Sequence, residues 1–328
     1  MSNFISIEQF RHLKRSVEYK AQFKGLDEAG EPIMDRLAKL PTLKFIGVEK
    51  IHGSFSGVKV ENGTLTCLSK ERVITPEDDN YGFARAISNL PEEVKKELFY
   101  DKGNLTIFGE RAGKGIQNKV AVAELEKFWV IFAAQTEAGE WLEIETWPEY
   151  PEHRIFNIYN NTVWSIYIDF ESPAESINEM NRLTLEVEKE SPFGKRLGIS
   201  GIGEGICWHC AEEGYDYGRF IYKNKGEAHA GSKVTKLANI DVEKMKSIDE
   251  FIEKTVTEER LQQGWDHLQN NKLFDYEKSM GAFLSWVFQD VLKEEFDTMT
   301  ESGLNKKDVG SACAKKAKVW YLEKLNTL

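Results

Sequence analysis

Leu43-Lys44-Phe45-Ile46-Gly47-Val48-Glu49-Lys50-Ile51-His52-Gly53-Ser54-Phe55-Ser56-Gly57-Val58-Lys59-Val60 is the stretch that decides the fold. Leu43 to Glu49 reads as a strand, and Phe55 to Val60 alternates well enough to be a second. Glu61-Asn62-Gly63 supplies a hairpin turn, with Thr64 to Leu68 returning. Lys50 thus stands where a strand runs into a glycine-containing turn, exposed yet held by a sheet.

Working outward, four more charged motifs follow in order: Ser69-Lys70-Glu71-Arg72, Phe108-Gly109-Glu110, Glu204-Gly205-Ile206 and Lys223-Asn224-Lys225. Taken singly each is weak, because charged residues mostly form a solvated face. In this order they suit a lysine nucleophile attacking the α-phosphate of a nucleoside triphosphate. Such an amine must be neutral, so neighbouring cations or a metal are expected to lower its pKa. Charge building on the phosphate must also be met by fixed cations. Lys223 and Lys225 alternate with Asn224, so a strand there points both amines the same way.

The motif set resembles the covalent nucleotidyltransferase superfamily of ATP-dependent ligases and RNA capping enzymes, most closely the RNA ligases of the phage RNA ligase 2 type. The resemblance covers roughly residues 40 to 235, and Lys50-Ile51-His52-Gly53 matches the less common histidine form of the first motif. It implies an α+β fold: an antiparallel-sheet nucleotidyltransferase core (ATP-grasp-like ligase) with a small all-α C-terminal domain. By the same resemblance, Lys50 is the site of AMP attachment, with His52 and Gly53 shaping its loop. Arg72, or Lys70 if the register slips, contacts phosphate; Glu110 binds the ribose hydroxyls; Glu204 holds the metal; and Lys223 and Lys225 are the paired lysines of the last motif. Phe128 and Phe132 share one strand face with Trp129 on the other, and Phe132 is favoured as the adenine stack. ATP as co-substrate and Mg2+ or Mn2+ are implied. Two departures stand out: Ala133 replaces the family's aspartate, and Phe55 replaces its asparagine.

The implied activity is ATP-dependent joining of 5'-phosphate and 3'-hydroxyl RNA ends through a lysyl-AMP intermediate, with RNA as partner. A DNA ligase, a capping guanylyltransferase or a non-catalytic RNA-binding protein on the same fold are the alternatives. Three helical stretches are expected near 241 to 268, 275 to 297 and 305 to 326, where a DNA ligase or capping enzyme would carry a β-rich domain. Phe283, Trp286, Val287 and Val291 recur at helical spacing, as core residues do. Thr257-Glu258-Glu259-Arg260-Leu261 resembles the start of the family's helical module.

The domains are expected to be 1–238 and 239–328, with residues 1 to 40 as a helical lead-in, a helix starting at Pro91 and another over 174 to 190. The net charge of -11 argues against nucleic acid only at long range, since a phosphate backbone needs a local basic stripe. Candidates are Arg111, Lys114 and Lys119; Lys223, Lys225, Lys233 and Lys236; and the segment from 302, where six lysines face only Asp308 and Glu323.

Cys207-Trp208-His209-Cys210 has metal-like spacing, but Cys67 and Cys313 form no second pair, so alternating burial along a strand explains it better than zinc. Gly201-Ile202-Gly203-Glu204-Gly205 lacks the strand-to-helix context of a dinucleotide loop. Unpatterned cysteines, no apolar secretory core and no long apolar run imply a soluble cytoplasmic protein, expected to be monomeric.

Overall fold

A computed structural model describes residues 7, 9–229, 247–270 and 278–327. The chain divides into two compact units, Met1–Gly226 and Glu227–Leu328. The expected boundary at 238/239 falls outside the described residues.

The first unit opens with α1 (Phe10–Gln22), which buries Leu13 and Val17 on one face. Helix does not continue through residue 40 as expected. Instead β1 (Phe23–Leu26) and β2 (Pro32–Met34) form a hairpin. The reason is local: the Asp27 carboxylate accepts from the Ala29 and Glu31 N–H groups, and Gly30 takes φ +82°, a turn that a helix cannot accommodate.

Next come β3 (Thr42–Glu49), β4 (Ser54–Glu61), β5 (Thr64–Ser69) and β6 (Val73–Ile74). After α2 (Phe83–Ser88) and α3 (Glu92–Leu98) follow β7 (Leu105–Ala112), β8 (Phe128–Thr136), β9 (Ile155–Asn157) and β10 (Val163–Asp169). α4 (Ala174–Lys189), α5 (Pro192–Arg196), β11 (Gly205–Cys210) and β12 (Ile221–Lys225) complete the unit. One sheet has the order β10-β3-β11-β12, the other β6-β5-β4-β7-β8-β9. Pairing is antiparallel throughout both, save the parallel β8 to β9 pair.

The turn at 50–53 is where the chain leaves the first sheet for the second. Val48, Val130, Phe128, Phe156 and Phe193 pack into one core cluster, joining β3 of one sheet to β8 of the other. Val58, Ile107, Trp129 and Ile131 face a second core with Phe83, Leu98 and Phe99. Between the strands of the two sheets lies a pocket that Lys50 and Glu110 line.

The second unit is helical. The stretch expected over 241 to 268 is two helices, α6 (Ile248–Thr255) and α7 (Glu258–Asn270), because Val256 leaves helical geometry and the Thr257 hydroxyl accepts from the Arg260 N–H. α8 (Met280–Glu301) and α9 (Lys306–Leu325) follow. Phe283, Val287 and Val291 are buried with Phe251, Trp265 and Tyr321, and Trp286 packs on that core partly exposed. Arg260 is fully buried and paired with Asp290 at 2.8 Å and Glu294 at 2.5 Å.

Candidate active site

Glu204 organises the site. Its backbone is held on both sides, since the Lys50 N–H donates to the Gly205 carbonyl at 2.8 Å and the Gly226 N–H to the Glu204 carbonyl at 3.0 Å. Gly205 pairs across the ladder with Lys225, at φ +154°, and a Cβ there would overlap the Asn224 carbonyl oxygen. The clamp aims a carboxylate that is 1% exposed between three basic side chains. Lys50 Nζ lies 2.7 Å from Oε2, His52 Nδ1 3.0 Å from the same oxygen, and Lys225 Nζ 3.0 Å from Oε1. Burial alone would push a carboxyl upward, yet Lys225, Lys50 and His52 together hold Glu204 well below its ordinary range.

The same pairing acts on Lys50 in reverse. Burial favours the neutral amine, but Glu204 first and Glu110 second outweigh it and raise the pKa. The expected lowering by neighbouring cations or a metal is thus not produced by these side chains alone, because the two carboxylates outweigh burial. Lys223 lies on the same strand face, opposite Cys207, and its charge is felt at that thiol.

Glu110, on β7, is pushed up to about 7: burial leads, Lys50 opposes it, Glu204 adds to it, and Lys70 and the Gly53 backbone oppose it. Gly53 must be glycine, since a Cβ would come within 2.5 Å of the Arg111 carbonyl oxygen and 2.9 Å of Glu110 Cγ. Of the two basic candidates after β5, Lys70 is the one coupled to Glu110. The Arg72 guanidinium instead donates to Asp78 Oδ2 at 2.6 Å, so Arg72 ties down its own loop.

A pocket lies against Lys50 and Glu110, walled by Val48, Phe55, Val130, Phe132, Ile158, Cys207, Tyr217 and Ile221. Phe132 enters it through a β-bulge. The β7 to β8 register runs Phe108↔Ala133 and then Gly109↔Ile131, which leaves Phe132 as the unpaired extra residue. Phe128 is buried against Phe193, ring centroids 5.3 Å apart, and is core. Phe55, where the resembled family has asparagine, turns its ring toward Phe108 and Phe132 at 6.1 and 6.4 Å.

The cysteine-rich stretch divides by face as strand alternation requires: Cys207 lines the pocket and Trp208 is buried beneath Gly47. His209 is driven down to about 4 by burial. Among the described residues no group of three or more His, Cys, Asp or Glu side chains is placed to hold a metal. A divalent ion that keeps several waters needs only one or two carboxylates, and Glu204 offers one that is held ionised, with both oxygens engaged by Lys50, His52 and Lys225.

Of the basic stripe, Arg111 is buried and lowered to about 10 by that burial, so it is no surface contact. Lys114 pairs with Glu126. Lys233 and Lys236 lie outside the described residues. On α9, Lys306, Lys307, Lys315 and Lys318 are exposed, whereas Lys316 bonds Glu253 and Lys324 bonds Gln262.

Sequence reasoning missed three groups. Glu49 accepts from the Ser191 hydroxyl at 2.5 Å and the Phe193 N–H at 2.7 Å, and so fastens α5 to the end of the strand that leads into Lys50. Its carboxyl is pushed up to about 7 by burial. Tyr217 reaches the pocket from the loop between β11 and β12, and Tyr159 sits beside it in a short 3-10 turn, neither with a periodicity that sequence could show.

No protein-family model matches the chain. Solved structures with a similar chain trace include a Naegleria gruberi RNA ligase with PPi, a lysine-substituted form of it with ATP and Mn, and another with AMP and Mn. Each is 15% identical with a TM-score of 0.43, over 70% of this chain and 58% of that one. The chain thus spans less than two thirds of the length of those proteins. Among the described residues no helix is long and apolar enough to cross a membrane.

Proposed function

We propose that the protein is an ATP-dependent RNA ligase that seals 5'-phosphate and 3'-hydroxyl ends through a lysyl-AMP intermediate. The observation that carries this reading is the buried Glu204 carboxylate shared by Lys50, His52 and Lys225, beside a pocket with a bulged aromatic at Phe132. Lys50 and His52 lie more than 150 positions from Glu204 yet converge on it, as an amine nucleophile and its charge partners must.

Lys50 Nζ attacks the α-phosphorus of ATP; the N–P bond forms as the α–β P–O bond breaks, and pyrophosphate leaves. AMP then passes to a 5'-phosphate, and a 3'-hydroxyl displaces AMP to form the phosphodiester. Glu204 holds Lys50 protonated at rest, which keeps the amine silent without substrate. Glu204 would hold a magnesium or manganese ion, which would supply positive charge to neutralise the phosphates. Lys223 and Lys225 meet the charge developing at the phosphate. Glu110, whose carboxyl burial pushes up to about 7, accepts from ribose hydroxyls and, when protonated, also donates to them. Phe132 stacks on the base.

The helical unit serves nucleic-acid docking: exposed Lys306, Lys307, Lys315 and Lys318 present cations on one helix, and phosphate contacts of that kind weaken steeply with salt. Incubation with α-labelled ATP and magnesium, followed by acid quench, tests the reading. Label should be trapped on Lys50 and lost in Lys50→Ala, and the wild type should seal a nicked RNA duplex. Label that survives Lys50→Ala rejects the assignment. Transfer from GTP in preference to ATP points to a capping-type enzyme, and sealing of DNA nicks alone to a DNA ligase.

A further inference from the structure

The pocket has a polar end that the phosphate chemistry leaves without a task. Tyr217, in the loop between β11 and β12, lines it with Ile158, and Tyr159 follows directly. Each phenol also perturbs the other, so the two hydroxyls are neighbours. The Tyr217 hydroxyl in turn donates to the Phe132 backbone carbonyl over a long 3.4 Å. Its ring is wedged between His209 and Trp141, with centroids at 4.7 and 5.0 Å, and the Trp141 indole is anchored to Asp216 Oδ2 at 3.1 Å. Burial, the leading cause for each phenol, keeps both above their ordinary range and therefore protonated.

We propose that the Tyr217 phenol oxygen reads the purine edge in this pocket and selects adenine over guanine. The inference rests on the nucleotide-binding part of the function proposed above. A phenol has one proton and two lone pairs. The Tyr217 proton is directed to the Phe132 carbonyl, so a base stacked on Phe132 meets the lone pairs of the phenol oxygen. Adenine presents its 6-amino group as a donor to that acceptor. Guanine presents a 6-oxo group, which places two acceptors face to face and leaves both unpaired out of water. Because Phe132 supplies both the stacking ring and the carbonyl that orients Tyr217, stacking and reading are coupled at one bulge.

Calorimetric titration of the full chain with ATP and with GTP, in parallel with labelled-adduct formation, tests this for wild type, Tyr217→Phe and Tyr159→Phe. Tyr217→Phe retains the ring packing and loses only the oxygen. It should weaken ATP binding about tenfold, leave GTP nearly unaffected and so collapse the preference, with the loss in KM for ATP more than in kcat. Tyr159→Phe, which leaves the Tyr217 oxygen and its bond to the Phe132 carbonyl in place, should keep the preference. Binding of ATP over GTP that depends on Tyr217 in a protein forming no adduct supports the base reader and rejects the ligase. Adduct formation with an ATP/GTP ratio unchanged by Tyr217→Phe rejects the base reader and leaves the ligase standing. A wild type indifferent to the base, or binding neither nucleotide, overturns the assignment.

Discussion

Glu204→Gln removes the charge that Lys50, His52 and Lys225 share while keeping the side chain's shape. Lys50 Nζ is 2.7 Å from the carboxylate and Lys225 Nζ 3.0 Å, and the acid is 1% exposed. For charge centres ~4 Å apart at an effective dielectric of ~20, one such pair is worth about 4 kcal/mol. At about 1.4 kcal/mol per pH unit, the substitution should lower the Lys50 pKa by about 3 units. The sign matters: the carboxylate raises the amine, so its loss makes Lys50 more often neutral and more reactive toward an acylating probe near pH 8. Adenylation should nevertheless fall by about 100- to 1,000-fold, as removal of a group that stabilises developing charge commonly does. Pulse acylation of Lys50 across pH, read by peptide mass spectrometry, reports the first effect, and labelled-AMP transfer the second. An unchanged acylation profile would refute the claim that Glu204 holds the proton. Adenylation rising in step with acylation would show that Glu204 only restrains the lysine.

The other predictions follow from single contacts. The Glu49 carboxyl is raised from 4.5 to about 7, so the folded state binds its proton more tightly than the unfolded chain does. Its stability contribution is thus greatest below pH 4.5 and is lost as pH rises to about 7; the wild type should lose about 3 kcal/mol across that window. Glu49→Gln should flatten this slope in urea melts at pH 5 and 8, and equal slopes would show another group to be responsible. Phe132→Ala should weaken ATP binding by about 1–3 kcal/mol through lost stacking, read by calorimetry, whereas an unaltered affinity would move the base elsewhere. Gly205→Ala should cost at least about 1–3 kcal/mol, because a Cβ meets the Asn224 carbonyl and forces β11 from β12; an unshifted thermal midpoint would mean that the strands part without penalty.

Much of this architecture is legible in the chain because strands and helices impose their periods on it. The hairpin after Lys50 and the helices at 174–189 and 306–325 follow from local apolar patterning and turn residues. Where one local contact overrides the pattern, expectation fails: the Asp27 turn breaks the N-terminal helix, and Thr257 divides the helix expected over 241 to 268. Arg111 reads as a basic surface residue but is buried, because burial belongs to the strand's neighbours rather than to the residue.

By itself the sequence determined which residue types the site could draw on and their order along the chain: a lysine in a strand-to-turn junction, carboxylates at 110 and 204, and alternating lysines at 223 and 225. Only the tertiary structure decided what each lies against. The Lys50 to Glu204 pair joins residues 154 positions apart, so its distance depends on the register of β3 against β11, which no local pattern encodes. The same holds for the sign of the Lys50 shift, set by which charge lies nearest, and for Phe132, whose entry into the pocket depends on a bulge defined only by the partner strand. Electrostatics and strand register are properties of pairs, and pairs distant in sequence come into being only when the chain folds.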